Sequence, residues 1–244
     1  CQVTEAVRPG ITTAELDQRC LDYMVNVQGC VSASLNYAPP GHTPYPKATC
    51  ISLNHQVCHG IPGERKLKNG DILNIDVTVI NDGYHGDTSR MYQVGEVSVL
   101  ARRLCEITFE CMWLGIAQVR PGARLGDVGH VIQQYAEKSG YSVVREFCGH
   151  GIGARFHEDP QVVHYGHPGT GVEIRENMIF TIEPMINVGK AAIRELADGW
   201  TIVTKDRSLS AQWEHTVLVT ATGYEVLTLS AGARPAPECT KAVR

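Results

Sequence analysis

Four residues, Val-Arg-Pro-Gly, occur at 7–10 and again at 119–122. Each copy leads into a helical pattern. After the first, Thr12 and Glu15 are spaced as a capping box, and Leu16, Cys20, Tyr23, Met24 and Val27 form an apolar stripe. After the second, Leu125, Val128, Val131, Ile132 and Tyr135 repeat the stripe up to Gly140. A second pair lies downstream: 67–76 reads L-K-N-G-D-I-L-N-I-D and 174–183 reads I-R-E-N-M-I-F-T-I-E. Both are polar turns running into an apolar strand that ends in a carboxylate. The offsets, 112 and 107 residues, are close. Short Pro-Gly matches also arise by coincidence, but two in register predict two related α/β halves packed as one domain over 1–244.

Residues 98–118 read as a long amphipathic helix entering the second repeat. Only Cys1 to Ala6 precede the first, and the chain opens on Cys, so the expectation is that an N-terminal helix is truncated. Expected strands are 72–80 and 84–94, a hairpin around Asn81-Asp82-Gly83, with 141–147, 178–183, 201–204 and 214–220. Residues 36–48 form a Pro/Gly-rich loop, and the segment from about 230 to 244 reads as a mobile tail.

Composition narrows the function classes. Net charge is −4, which gives no reason to expect nucleic acid or an anionic membrane. No run reaches the ~18–20 apolar residues of a membrane span. The nine cysteines contain no Cys-x-x-Cys, which argues against a zinc ribbon and reads as free thiols in a reducing cytoplasm.

The chemistry lies in the carboxylates. Asp76 and Asp87 leave the same face of the predicted hairpin whichever turn closes it, either directly opposite or one diagonal step apart. Two such carboxylates repel, and a cation reverses the sign. Asp76 sits in an apolar run, which argues against two solvated surface aspartates. Glu183 closes M-I-F-T-I-E before Pro184, and Glu214 opens E-H-T-V-L-V-T. Each alone reads as an exposed strand end; four together do not. His150 lies in Cys-Gly-His-Gly-Ile-Gly-Ala-Arg-Phe-His157. A dinucleotide loop fails there, because the glycines alternate and no helix follows. His59 stands in Val-Cys-His-Gly-Ile-Pro, a tight loop. His42 and His55 read as loop residues, and His85, His130, His164, His167 and His215 have no supporting context. Four carboxylates and one imidazole are a hard donor set that suits Mn²⁺, Fe²⁺ or Co²⁺ better than a structural Zn²⁺. Several carboxylates suit a bridged pair of ions.

Together these residues are recognisable. Cys-His59-Gly-Ile-Pro, Asn-Ile-Asp76, Gly-Asp87-Thr, Gly-His150-Gly-Ile-Gly, Phe156-His157, Phe-Thr-Ile-Glu183-Pro and Glu214-His-Thr resemble the methionine aminopeptidase family in its bacterial, type I form, over roughly residues 1–229. The resemblance implies the pita-bread α/β (α+β) fold, in which pseudo-two-fold halves build a central, mostly antiparallel curved sheet flanked by helices. It implies removal of the initiator methionine from nascent polypeptides through a hydroxide bridging two divalent ions (Co, Mn or Fe, with Zn admitted). The implied metal ligands are Asp76, Asp87, His150, Glu183 and Glu214, with Asp87 and Glu214 bridging. The implied catalytic residues are Glu183, His157 and His59. Tyr45, Cys50, Phe156 and Trp200 are the implied pocket, flanked by His59 and His157. Pro39 stands where the family often has a pocket cysteine. A cytoplasmic monomer with access to the ribosome, and no membrane or nucleic-acid partner, follows from the same resemblance. The rivals are a related hydrolase such as aminopeptidase P or prolidase, which usually carry an extra N-terminal domain, and a non-catalytic binding module on this fold.

Overall fold

The computed structural model describes residues 3–230 and 233–243. The first half contains α1 (Val3–Ala6), α2 (Thr13–Asn26), β1 (Val31–Ser32), β2 (Cys50–Leu53), β3 (Gln56–Cys58), β4 (Ile72–Asn81) and β5 (Tyr84–Gln93). The second contains α3 (Val99–Ile116), α4 (Leu125–Lys138), β6 (Ser142–Val143), β7 (Gly149–Gly151), β8 (Glu158–Val162), β9 (Ile179–Ile182), β10 (Met185–Asn187), β11 (Ile193–Glu195), β12 (Ile202–Thr204), β13 (Ser210–Gln212), β14 (His215–Thr220) and β15 (Gly223–Val226). A 3-10 turn follows at Glu238–Val243.

The duplication is visible bond by bond. In the first half Gly10 N–H donates to the Leu67 carbonyl, Leu67 N–H to Ile11, and Ala14 N–H to Gly63. In the second Gly122 N–H donates to Ile174, Ile174 N–H to Ala123, and Gly126 N–H to Thr170. Isolated bridges Thr12–Lys66 and Arg124–Glu173 keep the same register. Each helix start is thus docked on its own downstream turn, at the offsets read from the repeats. The expected capping box forms: Glu15 N–H donates to Thr12 Oγ1 at 3.1 Å, and Thr12 N–H to Glu15 Oε2 at 2.7 Å. In the second copy Asp127 Oδ2 accepts from Arg124 N–H at 2.7 Å, so a carboxylate again closes the first turn.

All strand pairs are antiparallel. β4 pairs with β5 along its full length and with β1 and β2 in addition. The second half builds a five-stranded sheet in the order β15-β14-β9-β7-β8, beside two small sheets, β13-β10-β6 and β11-β12-β3. The core divides in the same way. One apolar cluster (Leu16, Met24, Ile51, Leu73, Ile75) lies under α2, and a larger one (Phe109, Met112, Val128, Ile132, Phe180, Val217) lies under α3 and α4. The halves are stitched where β5 meets β14. Thr88 Oγ1 donates to the Glu214 carbonyl at 2.9 Å, and Thr216 Oγ1 donates to the Asp87 carbonyl at 2.7 Å.

Two expectations differ from the structure. The strand at 141–147 shrinks to Ser142–Val143, because the chain leaves the β10 edge there and re-enters a different sheet as β7. Asp76 and Asp87 lie inside β4 and β5, not at strand ends. Beyond residue 230, within the expected tail, the 3-10 turn packs on α3 and the Arg234 guanidinium lies 4.5 Å from the centre of the Phe109 ring. Residues 231, 232 and 244 of that segment, and residues 1 and 2 at the start, lie outside the described residues. Among the described residues, no helix is long and apolar enough to cross a membrane.

Candidate metal centre

Three parts of the chain aim their polar groups at one cavity of about 730 Å³. The β4–β5 hairpin turns on Asp82-Gly83, with Asn81 opposite Tyr84. Asp87 therefore pairs with Thr78, and Asp76 with Ser89, which puts the two aspartates on one face a diagonal step apart. Thr78 Oγ1 donates to Asp87 Oδ1 at 2.8 Å. Glu183 stands one residue past β9, and Glu214 one residue before its partner β14. His150 is the centre of β7, which pairs with β9 on one edge and β8 on the other. Its neighbours must be glycine: a Cβ at Gly149 would collide with the Thr181 carbonyl, and one at Gly151 with the Asp159 carbonyl.

The five residues meet. Asp87, His150 and Glu214 each offer a ligand atom within 4.8 Å of the other two. His150 Nε2 is 3.7 Å from Asp87 Oδ2 and 3.7 Å from Glu183 Oε1. Asp76 lies outside the trio but lines the same cavity. Thr181 ties the group together, donating to Glu183 Oε1 at 2.7 Å and accepting from His150 N–H at 3.0 Å. Gln212 Nε2 donates to Glu183 Oε2 at 3.1 Å.

Without a cation this arrangement is under electrostatic stress. Burial, reinforced by Asp87 and Glu183, pushes Asp76 well above the usual carboxylate range. Burial and the charge of Asp87 raise Glu214 likewise, and lift Glu183 to about 8. Asp87 is also raised by burial, against an opposing pull from His150. Asp76 Oδ1 is buried with no hydrogen-bond partner among the described residues. His150 Nδ1 is 2.9 Å from the Gly151 carbonyl, which only accepts, so the proton belongs on Nδ1. The other ring nitrogen, Nε2, then faces two carboxylates, each 3.7 Å away. A divalent cation converts each of these costs into a bond, and the donor set fits one.

The other expected residues line the same cavity: His59, His157, Tyr45, Cys50, Phe156 and Trp200. His59 holds a left-handed φ of 54° for a non-glycine residue, a strained conformation that sets its ring against Phe147 and Trp200. Burial lowers His59 to about 4, and burial with the neighbouring His150 lowers His157 to about 3, so both rings are neutral. Phe156 stacks on His157 at 4.2 Å. Trp200 packs edge-on against Tyr45 at 5.1 Å, and its Nε1–H donates to the Thr43 carbonyl at 3.0 Å.

Sequence reasoning missed four residues here. Tyr37 Oη lies 2.9 Å from His157 Nδ1. Thr181 and Gln212 hold Glu183. His164, fully buried, accepts the Glu183 N–H. The alternation in F-T-I-E signals Thr181, two residues from Glu183 on the same strand face. The other three meet their partners only through tertiary packing.

Comparison with known proteins places the whole chain. The family model described as metallopeptidase family M24 matches residues 1–221. The methionine aminopeptidase of Salmonella typhimurium is 57% identical over 224 residues, 91% of this chain and 83% of that one. The crystal structure of the Rickettsia prowazekii methionine aminopeptidase superposes with a TM-score of 0.90 at 51% identity, covering 93% of this chain and 90% of that chain. The Pyrococcus furiosus prolidase shares the fold at a TM-score of 0.71 and 21% identity, and this chain covers 59% of it. The architecture is thus the pita-bread fold that the motifs implied. With most of its length matched at more than half identity, this chain belongs to metallopeptidase family M24, among the methionine aminopeptidases.

Proposed function

We propose that this chain, as one catalytic domain, removes the initiator methionine from nascent polypeptides at the cavity between its two halves. Two divalent ions would be held there, with Mn²⁺, Fe²⁺ or Co²⁺ favoured by the donor set and Zn²⁺ admitted. Asp87 and Glu214 would bridge them, Asp76 would hold one, and His150 with Glu183 the other. Bound there, the ions supply Lewis acidity toward the scissile carbonyl and lower the pKa of a coordinated water to near neutrality. The observation that carries the reading is the convergence of four carboxylates and the His150 imidazole on one cavity, with a buried Asp76 oxygen left unsatisfied.

The chain's own residues account for the remaining chemistry. Tyr37 Oη lies 2.9 Å from His157 Nδ1, and with the tyrosine as donor in that pair His157 carries its own proton on Nε2. That N–H donates to the oxyanion as it forms. The Glu183 carboxylate takes the proton of the attacking water and returns it to the leaving amine. His59 holds the peptide backbone beside the scissile bond. Tyr45, Cys50, Phe156 and Trp200 enclose the thioether, which favours polarisable aromatic and sulfur walls. The same reading makes the enzyme a cytoplasmic monomer with access to chains leaving the ribosome.

The test is turnover of Met-Ala-Ser and of an Xaa-Pro dipeptide after chelation and after addition of Mn²⁺ or Co²⁺. Metal-restored release of methionine is expected. Preference for the proline substrate, or no rescue by metal, would overturn the reading.

A further inference from the structure

We infer that His164 is a positioning residue for Glu183, acting as the hydrogen-bond acceptor that fixes its backbone. This rests on the role given to Glu183 above. Ile182, the last residue of β9, pairs with His215. Met185, the first residue of β10, pairs with Gln212 in a different sheet. Glu183 and Pro184 span the step between sheets, and proline has no N–H to give. The Glu183 N–H falls outside both ladders in a buried place, where an unmet donor is costly.

His164 meets that donor. Its Nε2 accepts the Glu183 N–H at 3.1 Å, and the residue is only 1% exposed. To accept there, Nε2 must carry the lone pair, so the proton lies on Nδ1. His164 Nδ1 is buried with no partner among the described residues. The ring therefore leaves one buried donor without a protein partner among the described residues in order to accept one backbone bond. His164 does not line the cavity and reaches the chemistry only through Glu183. The Glu183 carboxylate is fixed separately, by Thr181 at Oε1 and Gln212 at Oε2. Its backbone is held by His164, so the two sets together define where the carboxylate points.

The experiment compares wild type, H164L and H164Q in three measurements. These are melting temperature without metal, Mn²⁺ affinity by calorimetry on chelated and dialysed protein, and kcat with KM on Met-Ala-Ser. Gln can present an amide oxygen to the same N–H, whereas Leu cannot. H164L should weaken Mn²⁺ binding by about 10–100-fold, the usual effect of losing a group that orients a ligand. Its kcat should fall while KM stays near the wild-type value, and H164Q should recover most of both. An H164L protein that melts earlier yet binds Mn²⁺ and turns over like wild type would overturn the proposal, as would an H164Q protein as impaired as H164L. Should H164L not fold, nitrogen-15 spectra of metal-free wild type decide: an unprotonated His164 Nε2 supports the assignment and a protonated one overturns it. Wild type without metal-dependent turnover would sink the underlying assignment of Glu183, an outcome distinct from an unaffected H164L.

Discussion

Asp76 and Asp87 leave one face of the β4–β5 hairpin a diagonal step apart, because Asp87 is opposite Thr78 and Asp76 is opposite Ser89. The two-residue turn Asp82-Gly83 sets that register, and both turn residues have positive φ, 49° and 83°. A buried pair of like charges at that spacing is a liability for the fold that a bound cation would relieve.

Asp87→Asn removes a charge from that pair. Metal-free protein should melt no earlier than wild type, since self-repulsion falls. Metal affinity and turnover should drop by at least about 100-fold, more than loss of an outer partner of a ligand costs. Calorimetric titration with Mn²⁺ and a thermal melt of the metal-free form check both arms.

His157→Ala separates chemistry from metal binding. With Tyr37 as the donor to Nδ1, the Nε2–H can meet an oxyanion. Turnover should fall about 10²–10³-fold, as for a lost oxyanion donor, with metal content unchanged. Elemental analysis beside steady-state rates makes the comparison.

Stability of the metal-free protein should fall as pH rises. Glu183 ordinarily titrates at 4.5 and in the folded chain at about 8. Between those values the unfolded chain has lost a proton that the folded chain keeps, so raising pH favours unfolding. Asp76 and Glu214 are shifted in the same direction. The melting temperature after chelation should therefore decline from about pH 4.5 to about pH 8, and Mn²⁺ should stabilise most at the upper end. A flat profile would contradict the stressed cluster.

The glycines around His150 differ in role. Gly149→Ala meets the Thr181 carbonyl and should destabilise by about 1–3 kcal/mol, with loss of metal binding. Gly153→Ala meets the carboxylate end of the Glu158 side chain, the nearest atom at 3.4 Å, and should stay within about 0.5 kcal/mol of wild type. Denaturant melts of the two variants provide the contrast.

Much of this was legible before any coordinates, and the reasons are local. The capping box at Thr12 and Glu15 needs only one helical turn, and it forms as spaced. The shared face of Asp76 and Asp87 follows from strand parity, which survives either choice of turn. The repeat offsets became hydrogen bonds, because each helix start docks on its own downstream turn. What escaped depends on distant partners. His164 lies 19 residues from Glu183 and Tyr37 lies 120 from His157, and no local pattern marks either pair. The strand expected at 141–147 is shorter, at Ser142–Val143, for a related reason: an apolar run does not reveal that it changes sheets part-way. The turn at 238–243 carries no apolar period, and its packing on α3 shows only in three dimensions.

Anomalous diffraction from a Mn²⁺-soaked crystal locates the ions and their ligands together. Two peaks ~3.5–4 Å apart are expected, each in contact with Asp87 and Glu214, one also touching Asp76 and the other His150 and Glu183. No peak in the cavity, or ions bound elsewhere while those side chains remain unliganded, would contradict that expectation.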